Sequence, residues 1–257
     1  MTNKPFLPIP NEDDDSPFQY IDTASSRAEI VNISHKLEKA VISIIGLGGT
    51  GSYILDLVAK TPIKEIRLFD SDVFSQHNAF RSPGAISIEK LRELPLKVFY
   101  YLEEYSKIHR GIKQYSHNIN ESNIAELDGS NFVFISIDNG SSKEIIVRYL
   151  ESKNIPFIDV GMGIHIENDS LFGIIRTTTS TPEKHDHIWN KKRIPFNVDN
   201  HIDEYKTNIQ VADLNALNAC LAVIKWKKLL GFYSDLEMEY FSTYTIDGNM
   251  VINEDQK

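Results

Sequence analysis

The chain has 257 residues, of which 41% are apolar and 25% charged, enough for one large α/β domain. A net charge of −9 with no Lys/Arg-rich block argues against nucleic acid as the main partner, because phosphate neutralisation needs a clustered basic surface. The single cysteine, Cys220, excludes an intramolecular disulfide and a multi-cysteine zinc site. No apolar stretch approaches the roughly 18 residues of a membrane span, so the expectation is a cytoplasmic protein with no membrane partner.

In chain order, residues 1–22 carry four prolines and the acidic run Glu12 to Asp15, which fits a flexible, extended or loosely docked N-terminal arm; a docking tail is the functional alternative. The folded domain is expected over residues 23–257. Apolar residues return at helical spacing from Ser25 to Lys39. The run Val41 to Ile45 then meets glycines at once, and a helical pattern follows from Ser52 to Lys60, giving strand, tight turn and helix.

Further strands are predicted at Ile66 to Phe69, Phe132 to Ile137 and Phe157 to Val160. Helical stretches lie between them at Ile88 to Lys107 and at Ser141 to Lys153, the latter opened by a capping box of Ser141 and Glu144. This alternation implies a Rossmann-like, mostly parallel α/β sheet, extended by antiparallel strands at Leu171 to Arg176, Tyr240 to Ile246 and Met250 to Ile252. A polar crossover segment, about 177–208, precedes a long helix from about Ile209 to Leu230.

Ligands of parallel sheets bind at the carboxyl ends of the strands, where Gly46, Asp70 and Asp138 all fall. Gly46-Leu47-Gly48-Gly49-Thr50-Gly51 fits G-x-G-x-x-G between a strand and a helix, a nucleotide-binding context. Asp70, at the end of the second strand, can accept hydrogen bonds from a ribose diol. Gly51 is followed by Ser52-Tyr53, so the loop is not a P-loop.

Downstream stand Asp70-Ser71-Asp72, Asn78-x-x-Arg81, Lys97 and the strand end Ile137-Asp138-Asn139. With the glycine loop, and with the helix of Asn208 to Gly231, this series resembles the ThiF/MoeB and ubiquitin-activating enzyme family over about residues 25–246. The resemblance implies that Asp70, with Asp72 beside it, holds the ribose of ATP, that Asn78, Arg81 and Lys97 hold the triphosphate, and that Asp138 coordinates Mg²⁺. It further implies that Arg27 reaches across a homodimer into the neighbouring subunit's site.

The implied reaction is adenylation of the C-terminal carboxylate of a ubiquitin-like or sulfur-carrier protein, with release of pyrophosphate and a conjugating enzyme as a candidate later partner. The crossover lacks the cysteine that many relatives carry, and Lys143 stands where they often have arginine, so no thioester is expected on this chain. Cys220 is expected to be buried in its apolar helix. His185, His187 and His201 are weak candidates for a metal. An NAD-binding oxidoreductase would explain the glycine loop and Asp70 but leaves Asp72, Asn78, Arg81, Lys97 and Asp138 without work; a catalytically silent scaffold recruiting a ubiquitin-like protein is a third reading.

Overall fold

The computed structural model describes residues 8–196 and 209–257. Eight strands form one sheet: β1 Val41–Ile45, β2 Glu65–Phe69, β3 Ile112–Tyr115, β4 Phe132–Ile135, β5 Phe157–Glu167, β6 Ser170–Ser180, β7 Phe241–Thr245 and β8 Met250–Glu254. Their spatial order is β3-β2-β1-β4-β5-β6-β7-β8; β1 to β5 run parallel, and β6 to β8 continue antiparallel. The helices are α1 Thr23–Arg27, α2 Val31–Ser34, α3 Gly49–Val58, α4 Gln76–Ala79, α5 Ile88–Arg92, α6 Lys97–Tyr105, α7 Gly140–Ser152, α8 Asp186–Asn190 and α9 Ala212–Leu229.

Alternate strand residues face opposite sides, so each face of the sheet carries its own core. Ile42, Ile44, Ile66, Leu68 and Phe134 pack with Leu55 of α3, Val98 of α6 and Trp226 of α9. Ile45, Phe69, Val133 and Ile135 pack with Ile146 and Leu150 of α7 and Ile188 of α8. Each such side chain contributes about 1.5–3 kcal/mol on leaving water, which fixes the parallel strands and aligns their carboxyl ends.

Several expectations are corrected. The single helix expected from Ser25 to Lys39 is broken, because Glu29 takes a positive φ of 57° between α1 and α2. The helical stretch Ile88 to Lys107 splits into α5 and α6: Leu94 has φ 49°, and Pro95 offers no N–H to continue a helix. Strand β3 is an addition to the predicted set. The cap of α7 is Asn139, whose side chain accepts from the Ser142 N–H at 2.9 Å, and the helix starts at Gly140 instead of after Ser141. Strands β5 and β6 reach well past the predicted Val160 into an 11-residue ribbon closed at Asn168-Asp169, both with positive φ as a two-residue hairpin requires.

Of the crossover, residues 177–180 belong to β6 and α8 follows; 197–208 lie outside the described residues. The segment read as an N-terminal arm lies, from Ile9 to Ile21, in a hairpin against Ser106 to Arg110, the stretch between α6 and β3. Pro10 pairs with Tyr20, Phe18 with His109, and the Arg110 guanidinium donates to the carbonyls of Asn11 (2.6 Å) and Asp13 (3.0 Å). Among the described residues no helix is long and apolar enough to cross a membrane.

Candidate active site

The loop after β1 is glycine for steric reasons that the structure makes explicit. Gly46 has φ +88°, and a Cβ there would stand 2.4 Å from the Ser136 carbonyl oxygen at the end of β4. One on Gly51 would stand 1.9 Å from the Gly46 carbonyl oxygen, and one on Gly49 would stand 2.1 Å from Asn215 Nδ2. Gly48 differs: nothing lies within 4 Å of its missing side chain. The loop is therefore tied to β4, to α3 and to α9, while Gly48 leaves open space before the first turn of α3. Free N–H groups there suit an anion.

Asp70 is buried at the end of β2 and holds this loop in place. Its Oδ2 accepts from the Leu47 N–H at 2.7 Å, and its Oδ1 accepts from the Asp72 N–H at 2.8 Å. Lys97 opens α6 by donating its own N–H to the Asp72 carbonyl at 2.9 Å, and its Nζ lies 2.7 Å from the exposed Asp72 carboxylate and 3.4 Å from Asp70. The D-x-D run and Lys97 thus form one cluster beside the glycine loop, although 25 residues separate Asp72 from Lys97.

Asn78 is buried in α4, where its Oδ1 accepts from the Ser75 N–H at 2.9 Å in a capping box. That bond engages only the carbonyl end of its amide. Arg81 follows in the same turn; its Nε is buried without a hydrogen-bond partner among the described residues, and desolvation lowers its pKa from the ordinary value. The pKa of the His77 ring is lowered in turn, by partial desolvation first and then by the charges of Arg81 and Lys97. An arginine with no carboxylate partner is a ready site for an anion.

Asp138 lies exposed beyond the end of β4, two residues after the Ser136 carbonyl that abuts Gly46. Asn139 takes the capping duty, so the Asp138 carboxylate has no hydrogen bond or ion pair among the described residues. Arg27 stands exposed in the last turn of α1, and no hydrogen bond or ion pair joins it to the residues above.

The remaining candidates fall elsewhere. His187 is buried with its ring edge-on to Tyr240, His185 lies near the Thr181 carbonyl, and His201 lies outside the described residues. No group of three or more His, Cys, Asp or Glu residues that could hold a metal occurs among the described residues. Cys220 is half-buried, a correction to the expected full burial: α9 turns Asn215, Asn218, Ala219 and Ala222 inward, and Cys220 sits on the flank with Ala216, one turn from Ile224, which is 41% exposed.

Two features are additions to the predicted site. Asn215 of α9 is completely buried; its Oδ1 accepts from the Thr50 hydroxyl at 3.0 Å, and its Nδ2 donates to the Arg81 carbonyl at 3.3 Å. A signal for it existed, because Asn215 and Asn218 fall three apart on the otherwise apolar face of their helix. The second is an ion cluster early in β5, level with the end of β4, where buried Asp159 pairs with Lys143 of α7 at 2.8 Å and with Arg176 of β6 at 2.6 Å. The sequence offers only Lys143 as a hint of it.

A glycine loop opening α3, acidic and basic residues at the strand ends and a parallel sheet turning antiparallel define a nucleotide-binding α/β protein. The ThiF family model matches residues 26–167, more than half of the chain, and the protein belongs to that family. It is 28% identical over 128 residues to the tRNA threonylcarbamoyladenosine dehydratase of Haemophilus influenzae, an alignment spanning 49% of each chain, so the chain matches only about half the length of that curated relative. Among solved structures it is similar to E. coli MccB with ATP (TM-score 0.66, 18% identity, 92% of this chain and 72% of that one). It is also similar to PaaA (TM-score 0.67, 16% identity, 90% and 68%). These likenesses establish the fold, including its antiparallel C-terminal strands.

Proposed function

We propose that the protein is an adenylyltransferase that joins the C-terminal carboxylate of a protein or peptide to the α-phosphate of ATP, a ubiquitin-like or sulfur-carrier protein being the substrate. The observation that carries this reading is Arg81, a half-buried guanidinium whose Nε has no hydrogen-bond partner and which has no acidic partner among the described residues; its backbone is tied through Asn215 to Thr50, and Lys97 through Asp70 to Leu47, of a glycine loop whose Gly48 faces open space. A dinucleotide reductase needs the loop and Asp70 but has no use for two cations and a bare Asp138.

Each group has work in such a reaction. In this reading the N–H groups at the start of α3 hold phosphate oxygens, the exposed Asp72 takes the ribose hydroxyls with the buried Asp70 behind it, and Asn78 offers its NH₂ end to the phosphates. A peptide carboxyl, with a pKa of about 3.5, is already ionised at neutral pH and needs no general base. Its oxygen forms a bond to the α-phosphorus as the bond to the β-phosphate oxygen breaks, and the electron pair leaves with pyrophosphate. Arg81 and Lys97 neutralise the charge that gathers on the phosphates, and the fixed frame of strand ends supplies orientation. Lys97 turns from Asp72 to the phosphates for this. The exposed carboxylate of Asp138, without a partner among the described residues, fits a hard, oxygen-ligated cation, and Mg²⁺ held there would supply further charge neutralisation.

The relatives' names support ATP as the nucleotide and differ in the second partner: MccB is described with ATP and with MccA, and the curated relative with the threonylcarbamoyladenosine of tRNA. The net charge of −9 favours the peptide or protein over tRNA for this chain. We further take the protein to act as a cytoplasmic homodimer, with Arg27 entering the partner's site, and to need no thioester of its own. The test is ATP–pyrophosphate exchange with purified ubiquitin-like proteins, alongside calorimetric titration with Mg²⁺–ATP and with NAD. Substrate-dependent exchange with no NAD binding is the expected result; NAD binding without Mg²⁺-dependent ATP binding would overturn the proposal.

A further inference from the structure

Asn215 has the properties of a residue kept in place by a task other than packing. It sits in the first turn of α9, wholly buried, among the inward residues Leu214, Ala219, Ala222, Val223 and Trp226, with Asn218 and, two turns beyond, Lys225 as the other buried polar groups of the helix. An asparagine is a weaker helix former than leucine or alanine, and a buried amide is unfavourable unless both of its ends find partners. Here they do, and the partners are not in the helix. The carbonyl end accepts from Thr50, in the first turn of α3; the amino end donates to the Arg81 carbonyl and fills the space left by the missing side chain of Gly49.

Those two partners belong to the two groups that would grip a polyphosphate. Thr50 and Gly49 belong to the first turn of α3, beside the open space at Gly48, and Arg81 carries the guanidinium whose Nε has no partner among the described residues. The other hydrogen bonds found in the Ser75 to Ser82 turn are local ones, among Ser75, Asn78, Arg81 and Ser82. We propose that Asn215 is a positioning residue: one side-chain amide, 165 residues from Thr50 in sequence, sets the glycine loop and Arg81 at the spacing that a single nucleotide triphosphate spans. The role rests on the adenylation reading given above. Asn218, one turn further along, also reaches out of the helix, donating to the Gly161 carbonyl within β5 at 3.0 Å.

The experiment measures Mg²⁺–ATP affinity of the full chain by calorimetry for wild type, Asn215→Ala, Arg81→Ala and the double variant, with thermal unfolding followed in parallel. A positioning role predicts about tenfold weaker binding for Asn215→Ala in the wild-type background, the scale of one buried hydrogen bond, and less than about twofold in the Arg81→Ala background. A loss of the same size in both backgrounds would show that Asn215 only supports the fold, and would overturn the proposal. If Asn215→Ala does not fold, Thr50 decides. Thr50→Ser keeps the hydroxyl that Asn215 holds and should bind ATP several-fold more tightly than the isosteric Thr50→Val; equal affinities would overturn the role. A wild-type chain that binds no Mg²⁺–ATP would overturn both this role and the adenylation reading, whereas tight wild-type binding with additive variants removes only the role of Asn215.

Discussion

The Nδ2 of Asn215 occupies the place where a side chain on Gly49 would begin: a Cβ there would lie 2.1 Å away, against a group whose amide is fixed by Thr50 on one side and Arg81 on the other. Gly49 is glycine because of a residue on the last helix, and not because of its own backbone angles. Gly49→Ala should therefore destabilise the protein by about 1–3 kcal/mol through overpacking, even though alanine is the better helix former. Asn215→Ala in the same chain should remove most of that cost. Urea unfolding of the two single variants and the double variant checks this; additive losses would contradict the contact.

Lys97 and Arg81 should behave differently when truncated. Lys97 balances the buried carboxylate of Asp70, so Lys97→Ala should cost on the order of 3 kcal/mol of stability as well as pyrophosphate exchange. Arg81 has no carboxylate partner among the described residues, and Arg81→Ala should lose exchange with a stability change within about 1 kcal/mol. Denaturant midpoints measured beside exchange rates separate the two; equal midpoints would mean that the Asp70 pair does not bear on folding.

Asp138 is exposed and unpaired among the described residues, so Asp138→Ala should unfold within about 0.5 kcal/mol of wild type. Its pyrophosphate exchange should fall to background. Unchanged exchange would remove Asp138 from the site.

Arg27 is tested by mixing. If it acts across a two-fold interface, Arg27→Ala and Asp138→Ala chains, each inactive, should regain up to about a quarter of wild-type exchange on subunit exchange, because one site in the mixed dimer then holds both residues. Absence of recovery in a proven heterodimer would place Arg27 outside the partner's site.

Acid should destabilise the fold through two buried histidines. Burial lowers the pKa of His109, outweighing the opposing hydrogen bond to the Ile63 carbonyl, and burial likewise lowers that of His187. Each ring stays neutral in the folded chain below the ordinary value of 6.5, while the unfolded chain takes up the proton there. Their stabilising contribution is thus complete above about pH 6.5 and declines as the pH falls from there toward the depressed folded values. His187→Phe, which keeps an aromatic edge on Tyr240, should flatten the slope of stability against pH in that window; an unchanged slope would show that His187 does not titrate with unfolding.

Much of the architecture is written locally, which is why the sequence discloses it. The run Val41 to Ile45 is a strand by composition, Gly46 to Gly51 can only be a tight turn into a helix, and Asp70 follows at a spacing that one parallel strand imposes. Pattern of this kind depends on neighbours within a turn or a pleat, and it sufficed to indicate the ThiF family and a mostly parallel sheet with antiparallel additions. What escaped was set by contacts between distant segments. Asn215 and Asn218 stand out as polar residues three apart in a largely apolar helix, but the task of Asn215 is not legible until Thr50, Gly49 and Arg81 are brought to it. The Lys143–Asp159–Arg176 cluster exists only because α7, β5 and β6 meet, and the half-buried state of Cys220 follows from which face of α9 the sheet accepts. Backbone patterning determines elements and the turn that opens the site; which side chains share that site is decided by packing across the sheet, because hydrogen bonds and ion pairs between segments form only where burial has already fixed the distance between them.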